Sequence, residues 1–146
     1  MRQHVLIVED EQDIRDILAE LFDVHGTDTT TAATLDQAKA ALTTRRFDLI
    51  LTDLRLGGDR DGGLQVMAAG GLLSPDATVV VLTAFPDDDN RHASARLGAT
   101  HFLEKPVSLQ LIAMLAARAG VASAMYPLAS AHDQRRRTDT QAVASA

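Results

Sequence analysis

The chain has 146 residues, a formal net charge of -6 and no cysteine, and it is 46% hydrophobic but only 3% aromatic. That apolar content is enough for one core, while disulfides, thiolate nucleophiles and cysteine-held metals are excluded. The acidic balance and sparse aromatics argue against nucleic acid as a direct ligand. No apolar run approaches the ~20 residues of a membrane span, and no signal-peptide core precedes the first strand, so a cytoplasmic protein without membrane contact is expected.

Val5, Leu6, Ile7 and Val8 form an apolar run that ends in Glu9, Asp10 and Glu11. It reads as a buried strand. A dinucleotide-binding unit would place a glycine-rich loop after it; the acids found there repel phosphate unless a cation intervenes. Ile14, Ile17, Leu18, Leu21 and Phe22 then repeat with the period of one apolar helical face, and Gly26 stops the helix. Residues 27–31 are a threonine-rich strand suited to a sheet edge. Leu35, Ala38 and Leu42 mark a second helix.

Leu49, Ile50 and Leu51 lead through Thr52 into Asp53. A near-continuous apolar run of this kind is a parallel strand buried on both faces. The chain turns at Gly57 and Gly58 and continues to Gly63 as a flexible loop. Leu64, Met67 and Leu72 are expected to face inward from a third helix, ended by Gly70, Gly71 and the Ser74-Pro75-Asp76 turn. Residues 78–82 are the most strand-like stretch in the chain and run into Thr83 and Ala84. Asp87, Asp88 and Asp89 cap a fourth helix whose only large apolar residue is Leu97, so loose packing is expected there. Residues 100–103 form a fifth strand ending in Glu104, Lys105 and Pro106. Val107, Leu111, Met114 and Leu115 mark the face of a fifth helix, closed by Gly120. Residues 123–146 are small and polar, with a basic run at Arg135, Arg136 and Arg137. They read as a solvated tail, disordered or partly helical.

Five alternations of strand and helix imply a parallel sheet with helices on both faces. In such a sheet the carboxyl ends of the strands share one edge, where ligands bind. That edge collects Glu9 and Asp10 from the first strand, Asp53 from the third, Thr83 from the fourth and Lys105 from the fifth. Two like charges at ~4 Å cost roughly 4 kcal/mol at an effective dielectric of 20, so the carboxylates need a cation or raised pKa values. All-oxygen donors suit Mg²⁺ or Mn²⁺ rather than Zn²⁺, with Asp10 and Asp53 as direct ligands and Glu9 behind them. A carboxylate can act as a nucleophile and become an aspartyl phosphate. Lys105, one of only two lysines, is a compact point charge suited to a phosphoryl group, and Thr83 can donate its hydroxyl to a phosphoryl oxygen.

These residues carry a family likeness. Val8-Glu9-Asp10, Leu51-Thr52-Asp53, Leu82-Thr83-Ala84 and Leu103-Glu104-Lys105-Pro106 stand in order on strand ends. Through them the chain resembles a response-regulator receiver domain of two-component signalling. The resemblance implies a flavodoxin-like (βα)5 fold of class α/β, a doubly wound five-stranded parallel sheet in order 2-1-3-4-5, with the domain over 1–122 and the tail over 123–146. It implies Asp53 as phosphoacceptor, and Mg²⁺ held by Glu9, Asp10, Asp53 and the backbone carbonyl of Arg55. Thr83, Ala84 and Lys105 would meet the phosphoryl group, Phe102 would be the aromatic switch and Lys105-Pro106 the cis peptide. Arg55 and Phe85 stand where the family tunes phosphoryl lifetime; a long cation and a bulky ring there imply slow hydrolysis.

The implied role is signalling rather than enzymatic turnover. A sensor histidine kinase or phosphotransfer protein would supply the phosphoryl group. The face of helix four, strand five and helix five would engage a protein target, in a monomer or a phosphorylation-dependent dimer. The length leaves no room for a DNA-binding output domain, so a stand-alone regulator is expected, the alternative being a piece of a longer one. Gly57 stands where the family usually has proline, and the loop to Gly63 is longer, which puts the loop's rigidity in question.

Other readings fit less well. Residues 59–63 faintly resemble a calcium loop, but Gly70 stands where the bidentate glutamate belongs. A phosphohydrolase using an aspartyl phosphate would need a second carboxylate two residues after Asp53, where Arg55 stands. A pseudo-receiver that binds without being phosphorylated would be expected to have lost site residues.

Overall fold

The computed structural model describes residues 2–128. Strands β1 (Gln3–Val8), β2 (Thr27–Ala32), β3 (Leu49–Asp53), β4 (Thr78–Thr83) and β5 (His101–Glu104) alternate with five helices. These are α1 (Gln12–Leu21), α2 (Leu35–Thr44), α3 (Gly62–Leu73), α4 (Asp88–Arg96) and α5 (Leu109–Arg118). The strands form one parallel sheet in the order β2-β1-β3-β4-β5. The fold is therefore the doubly wound one implied by the sequence, with threonine-rich β2 at an edge.

Successive strand side chains point to opposite faces, and both faces are covered. Val5, Ile7, Leu49, Leu51, Val80 and Leu82 pack beneath α1 and α5. Leu6, Val8, Ile50, Val79 and Val81 pack beneath α2 and α3. This two-sided burial is why the central strands read as unbroken apolar runs. Helix starts follow local chemistry: the hydroxyls of Thr34 and Ser108 accept from the amides of Gln37 and Leu111 at α2 and α5. Among the described residues no helix is long and apolar enough to cross a membrane.

The helix faces differ from expectation in three places. Leu72 is 83% exposed, and α3 runs through Gly70 and Gly71 to Leu73. Its inward positions are Gly63, Val66, Met67 and Gly70, three and four residues apart. The close approach of two glycines to β3 sets this phase and turns Leu72 outward. In α5 the buried face is Ile112, Ala113, Leu115 and Ala116, while Leu111 and Met114 are only partly buried. Ile17 of α1 is half exposed, beside an open groove whose walls include Pro106 and Val107.

Helix α4 buries only Ser94 completely, and Leu97 just beyond it is 37% exposed. Asp87 caps the helix by accepting from the Asn90 amide. After α5 the chain returns under α1: Ser123 is buried, the Ala124 amide donates to the Leu21 carbonyl at 2.7 Å, and Thr27 Oγ1 donates to the Ala122 carbonyl at 2.9 Å. The basic run from Arg135 to Arg137 lies outside the described residues.

Candidate functional site

Sheet register brings the predicted groups together. Val8 pairs with Thr52, Asp53 with Leu82, and Thr83 with Glu104, so the chemical residues emerge at one edge. The Leu54 amide donates to the Leu82 carbonyl at 3.0 Å, and the Gly63 amide donates to the Leu54 carbonyl at 2.8 Å. The backbone beyond Asp53 is thus held from both sides. Between them, Leu56 and Asp59 exchange backbone hydrogen bonds of 3.1 and 3.0 Å around Gly57 and Gly58. Gly57 has φ of +60°, a region glycine enters without penalty, and its amide donates to Asp10 Oδ2 at 3.0 Å. The loop expected to be flexible is a closed turn tied to the acidic edge.

Glu9 and Asp53 are buried, with 1% and 8% exposure, and Asp10 is exposed. One carboxylate oxygen from each of the three lies within 4.8 Å of the others. Lys105 Nζ reaches Asp53 Oδ1 at 2.9 Å and Glu9 Oε2 at 3.4 Å. The Lys105 amide donates to the Thr83 carbonyl at 2.8 Å, and the Lys105-Pro106 peptide is cis. Arg15 Nη1 donates to the Glu9 carbonyl at 2.9 Å, anchoring the backbone that carries both first-strand acids.

Residues 5–116 match the family profile of the response regulator receiver domain. The chain belongs to this family. It is 37% identical over 119 residues to the response regulator protein PilR of Pseudomonas aeruginosa, an alignment covering 81% of this chain and 26% of PilR. It is 31% identical to sporulation initiation phosphotransferase F of Bacillus subtilis, covering 77% of this chain and 89% of that protein. A solved response regulator from Burkholderia pseudomallei, with a phosphorylated aspartic acid, calcium ion and citrate, superposes with a TM-score of 0.70 at 30% identity. That match covers 79% of this chain and 65% of the other. The chain spans about a quarter (26%) of the length of PilR and of the nitrogen assimilation regulatory protein NtrX of Azorhizobium caulinodans.

Within this receiver domain the acidic edge is electrostatically frustrated. Burial, then the hydrogen bond and charge of neighbouring Asp53, push the Glu9 carboxyl up to about 8, against a smaller downward pull from Lys105. Burial lowers the Lys105 pKa, but the hydrogen bonds and charges of Asp53 and Glu9 outweigh it and hold the ammonium above its ordinary value. Glu9 Oε1 is buried with no hydrogen-bond partner among the described residues. An orphaned carboxylate oxygen beside two further carboxylates, with no nitrogen or sulfur donor in the cluster, fits a hard divalent cation.

Around this centre, buried Thr83 accepts from the Phe85 amide through Oγ1 at 2.8 Å, and Ala84 is exposed beside it. The Arg55 guanidinium stacks over the Phe85 ring at 3.7 Å, and that of Arg91 lies 4.7 Å from the Phe102 ring centroid. Phe102 itself is half-buried. Sequence reasoning found the charged centre but missed its supports, Arg15, the Gly57 amide and Gly63, and also the Arg91 cation over Phe102. The Gly62-Gly63 pair was the available signal for close backbone approach, and it read equally well as a loop.

Proposed function

We propose that this receiver domain takes a phosphoryl group onto Asp53. The observation that carries the reading is the buried Asp53 carboxylate, 2.9 Å from Lys105 Nζ and clustered with Glu9 and Asp10. An Asp53 carboxylate oxygen attacks phosphorus, and the bond from phosphorus to the donor breaks with its electron pair leaving on the donor. The donor is a histidine kinase or a phosphotransfer protein, whose leaving group is an imidazole. Glu9, Asp10, Asp53 and the Arg55 carbonyl would hold Mg²⁺ or Mn²⁺. That cation supplies neutralising charge to the phosphoryl oxygens. Lys105 exchanges its contact with Asp53 for one with the phosphoryl group. Thr83 already accepts through its hydroxyl oxygen, so its proton is available to a phosphoryl oxygen beside Ala84.

The new charge-assisted hydrogen bond from Thr83, at about 1.5–3 kcal/mol, supplies a good part of the ~5.5 kcal/mol that reverses a two-state equilibrium from 1:99 to 99:1, and the exchange of the Lys105 contact adds only its difference in strength. Thinly anchored α4 is the element such a shift can move, with half-buried Phe102 following Thr83. The face of α4, β5 and α5 then presents the signal to a protein target. The role is a switch rather than turnover of an external substrate. An aspartyl-phosphate hydrolase is disfavoured because the position for its acid/base carboxylate holds Arg55, stacked on Phe85.

Intact mass after incubation with acetyl phosphate and Mg²⁺ tests the assignment. The native protein should gain one phosphoryl mass and Asp53→Asn none. A gain in both would place the acceptor elsewhere, and a gain in neither would favour a pseudo-receiver.

A further inference from the structure

Helix α4 is held to the sheet by very little. Its nine residues include no apolar side chain larger than alanine. Two of them, three positions apart and so on one side of the helix, meet what lies beneath in unlike ways. The exposed Arg91 guanidinium lies 4.7 Å from the Phe102 ring centroid. Ser94 is 0% exposed, and its Oγ has no hydrogen-bond partner among the described residues. The first contact is favourable. The second is a penalty, because a buried hydroxyl without a partner has given up water for nothing.

The helix is coupled to the acidic edge through its first turn. Thr83 Oγ1 accepts from the Phe85 amide at 2.8 Å, and the Phe85 carbonyl accepts from Asn90 Nδ2 at 3.1 Å. Movement of the Thr83 side chain is therefore felt at the start of α4. Phe102 packs against the core layer that holds Val79 and Val81 and is only half-buried, so Arg91 meets its ring from the solvent side. A ring that moves inward after Thr83 leaves the guanidinium behind.

We propose that Arg91 and Ser94 are opposed positioning residues for phosphoryl uptake: Arg91 holds Phe102 and α4 in their resting place, and Ser94 loosens the same seat. The inference rests on the reading of Asp53 as acceptor with Phe102 and α4 as the moving parts. Uptake scales with the fraction of molecules already in the competent arrangement. A contact present only at rest lowers that fraction, and a penalty present only at rest raises it.

Uptake is read as the rate of phosphoryl mass gain with acetyl phosphate and Mg²⁺, and stability as the urea midpoint. Arg91→Met should speed uptake about two- to fivefold while lowering the midpoint. Ser94→Ala should slow uptake at least about twofold while raising the midpoint. A merely structural defect lowers both together. Arg91→Lys, which keeps a cation, should fall between Arg91→Met and the native protein. Arg96→Met, which removes an exposed cation from the last turn of the same helix, should leave uptake unchanged. In a Phe102→Leu background, Arg91→Met should add nothing, because the partner ring is gone.

Hydrogen exchange of the α4 amides in unphosphorylated protein supplies a second reading. It should quicken in Arg91→Met and slow in Ser94→Ala. This arm needs no phosphoryl group, so a native protein that takes no label would sink the acceptor assignment while exchange still judged the two residues. Slower uptake in Arg91→Met would overturn the proposal, since the cation would then be drawing in the anionic donor. So would a lower midpoint in Ser94→Ala, an undiminished Arg91→Met effect in the Phe102→Leu background, or α4 exchange that neither substitution alters.

Discussion

The Arg55 guanidinium carbon stands 3.7 Å from the centroid of the Phe85 ring. The residue two beyond Asp53 is thus stacked on the residue two beyond Thr83, across the mouth of the acidic edge. Half-exposed Phe85 offers an apolar plate, and Arg55 lays its planar cation over it.

This stack should slow attack of water on the aspartyl phosphate. An Arg55→Asn, Phe85→Ala double variant is expected to lose its phosphoryl group faster than the native protein. Exposed cation–π contacts are worth about 0.5–1 kcal/mol, or roughly two- to fivefold in rate. Each single variant removes the shared contact, so the two effects should not add. The decay of the phosphorylated mass after removal of acetyl phosphate measures this. A double variant that decays at the native rate or more slowly would mean the pair does not shield the acyl bond.

The raised pKa of Glu9 makes metal-free stability fall with rising pH. Below the ordinary carboxyl value of 4.5, folded and unfolded chains both carry the proton. Between 4.5 and about 8 the unfolded chain has released it and the folded chain retains it. The unfolded state then binds fewer protons, and stability declines as pH rises. Above about 8 both are ionised and the slope disappears. Chemical denaturation at pH 5 and pH 8 in EDTA should show the loss. Because a cation competes with the Glu9 proton, stabilisation by Mg²⁺ should grow across the same window. A flat metal-free profile would remove the argument that Glu9 is held protonated.

Two substitutions should act in opposite directions on that centre. Asp53→Asn removes a charge that pushes Glu9 upward, so metal-free protein should become more stable at pH 7 and its pH slope shallower. Lys105→Met removes the cation that contacts both acids. Breaking a fully buried pair costs about 3–5 kcal/mol; with 22% of the lysine side chain exposed, about 1–3 kcal/mol is expected here. Urea midpoints at constant slope provide the comparison. Destabilisation by Asp53→Asn would contradict the repulsive reading of the carboxylate pair.

The strands and the charged centre were legible because their signals lie in adjacent residues. A strand buried on both faces must be apolar throughout, and its first polar residue marks the sheet edge, as Val8-Glu9 and Thr52-Asp53 do. Helix phase was less legible where glycine does the packing. Gly63 and Gly70 are the inward positions of α3 but carry no apolar signal, so Leu72 took their place in the periodicity. Side-chain contacts between separate elements left no trace at all: nothing in the spacing of Arg55 and Phe85, or of Arg91 in α4 and Phe102 in β5, announces a stack. Gly57 looked like a source of slack, yet its amide is spent on Asp10.

Gly63 is the position where a single methyl group should reach the centre without touching a charged side chain. A Cβ there would lie 2.6 Å from Leu54 Cα and closer still to the Asp53 carbonyl oxygen. Both are backbone atoms, so relief requires α3 to lift or the end of β3 to shift. Gly63→Ala should therefore destabilise by at least the ~1–3 kcal/mol typical of overpacking. It should also slow labelling by acetyl phosphate, because Asp53 moves with its own carbonyl. Gly71, in the same helix, is the control: it is exposed, and a Cβ there meets nothing within 4 Å. Gly71→Ala should stabilise by about 0.5–1 kcal/mol through helix propensity alone and leave labelling unchanged. Equal effects of the two substitutions would show that backbone contact between α3 and β3 does not position the acceptor.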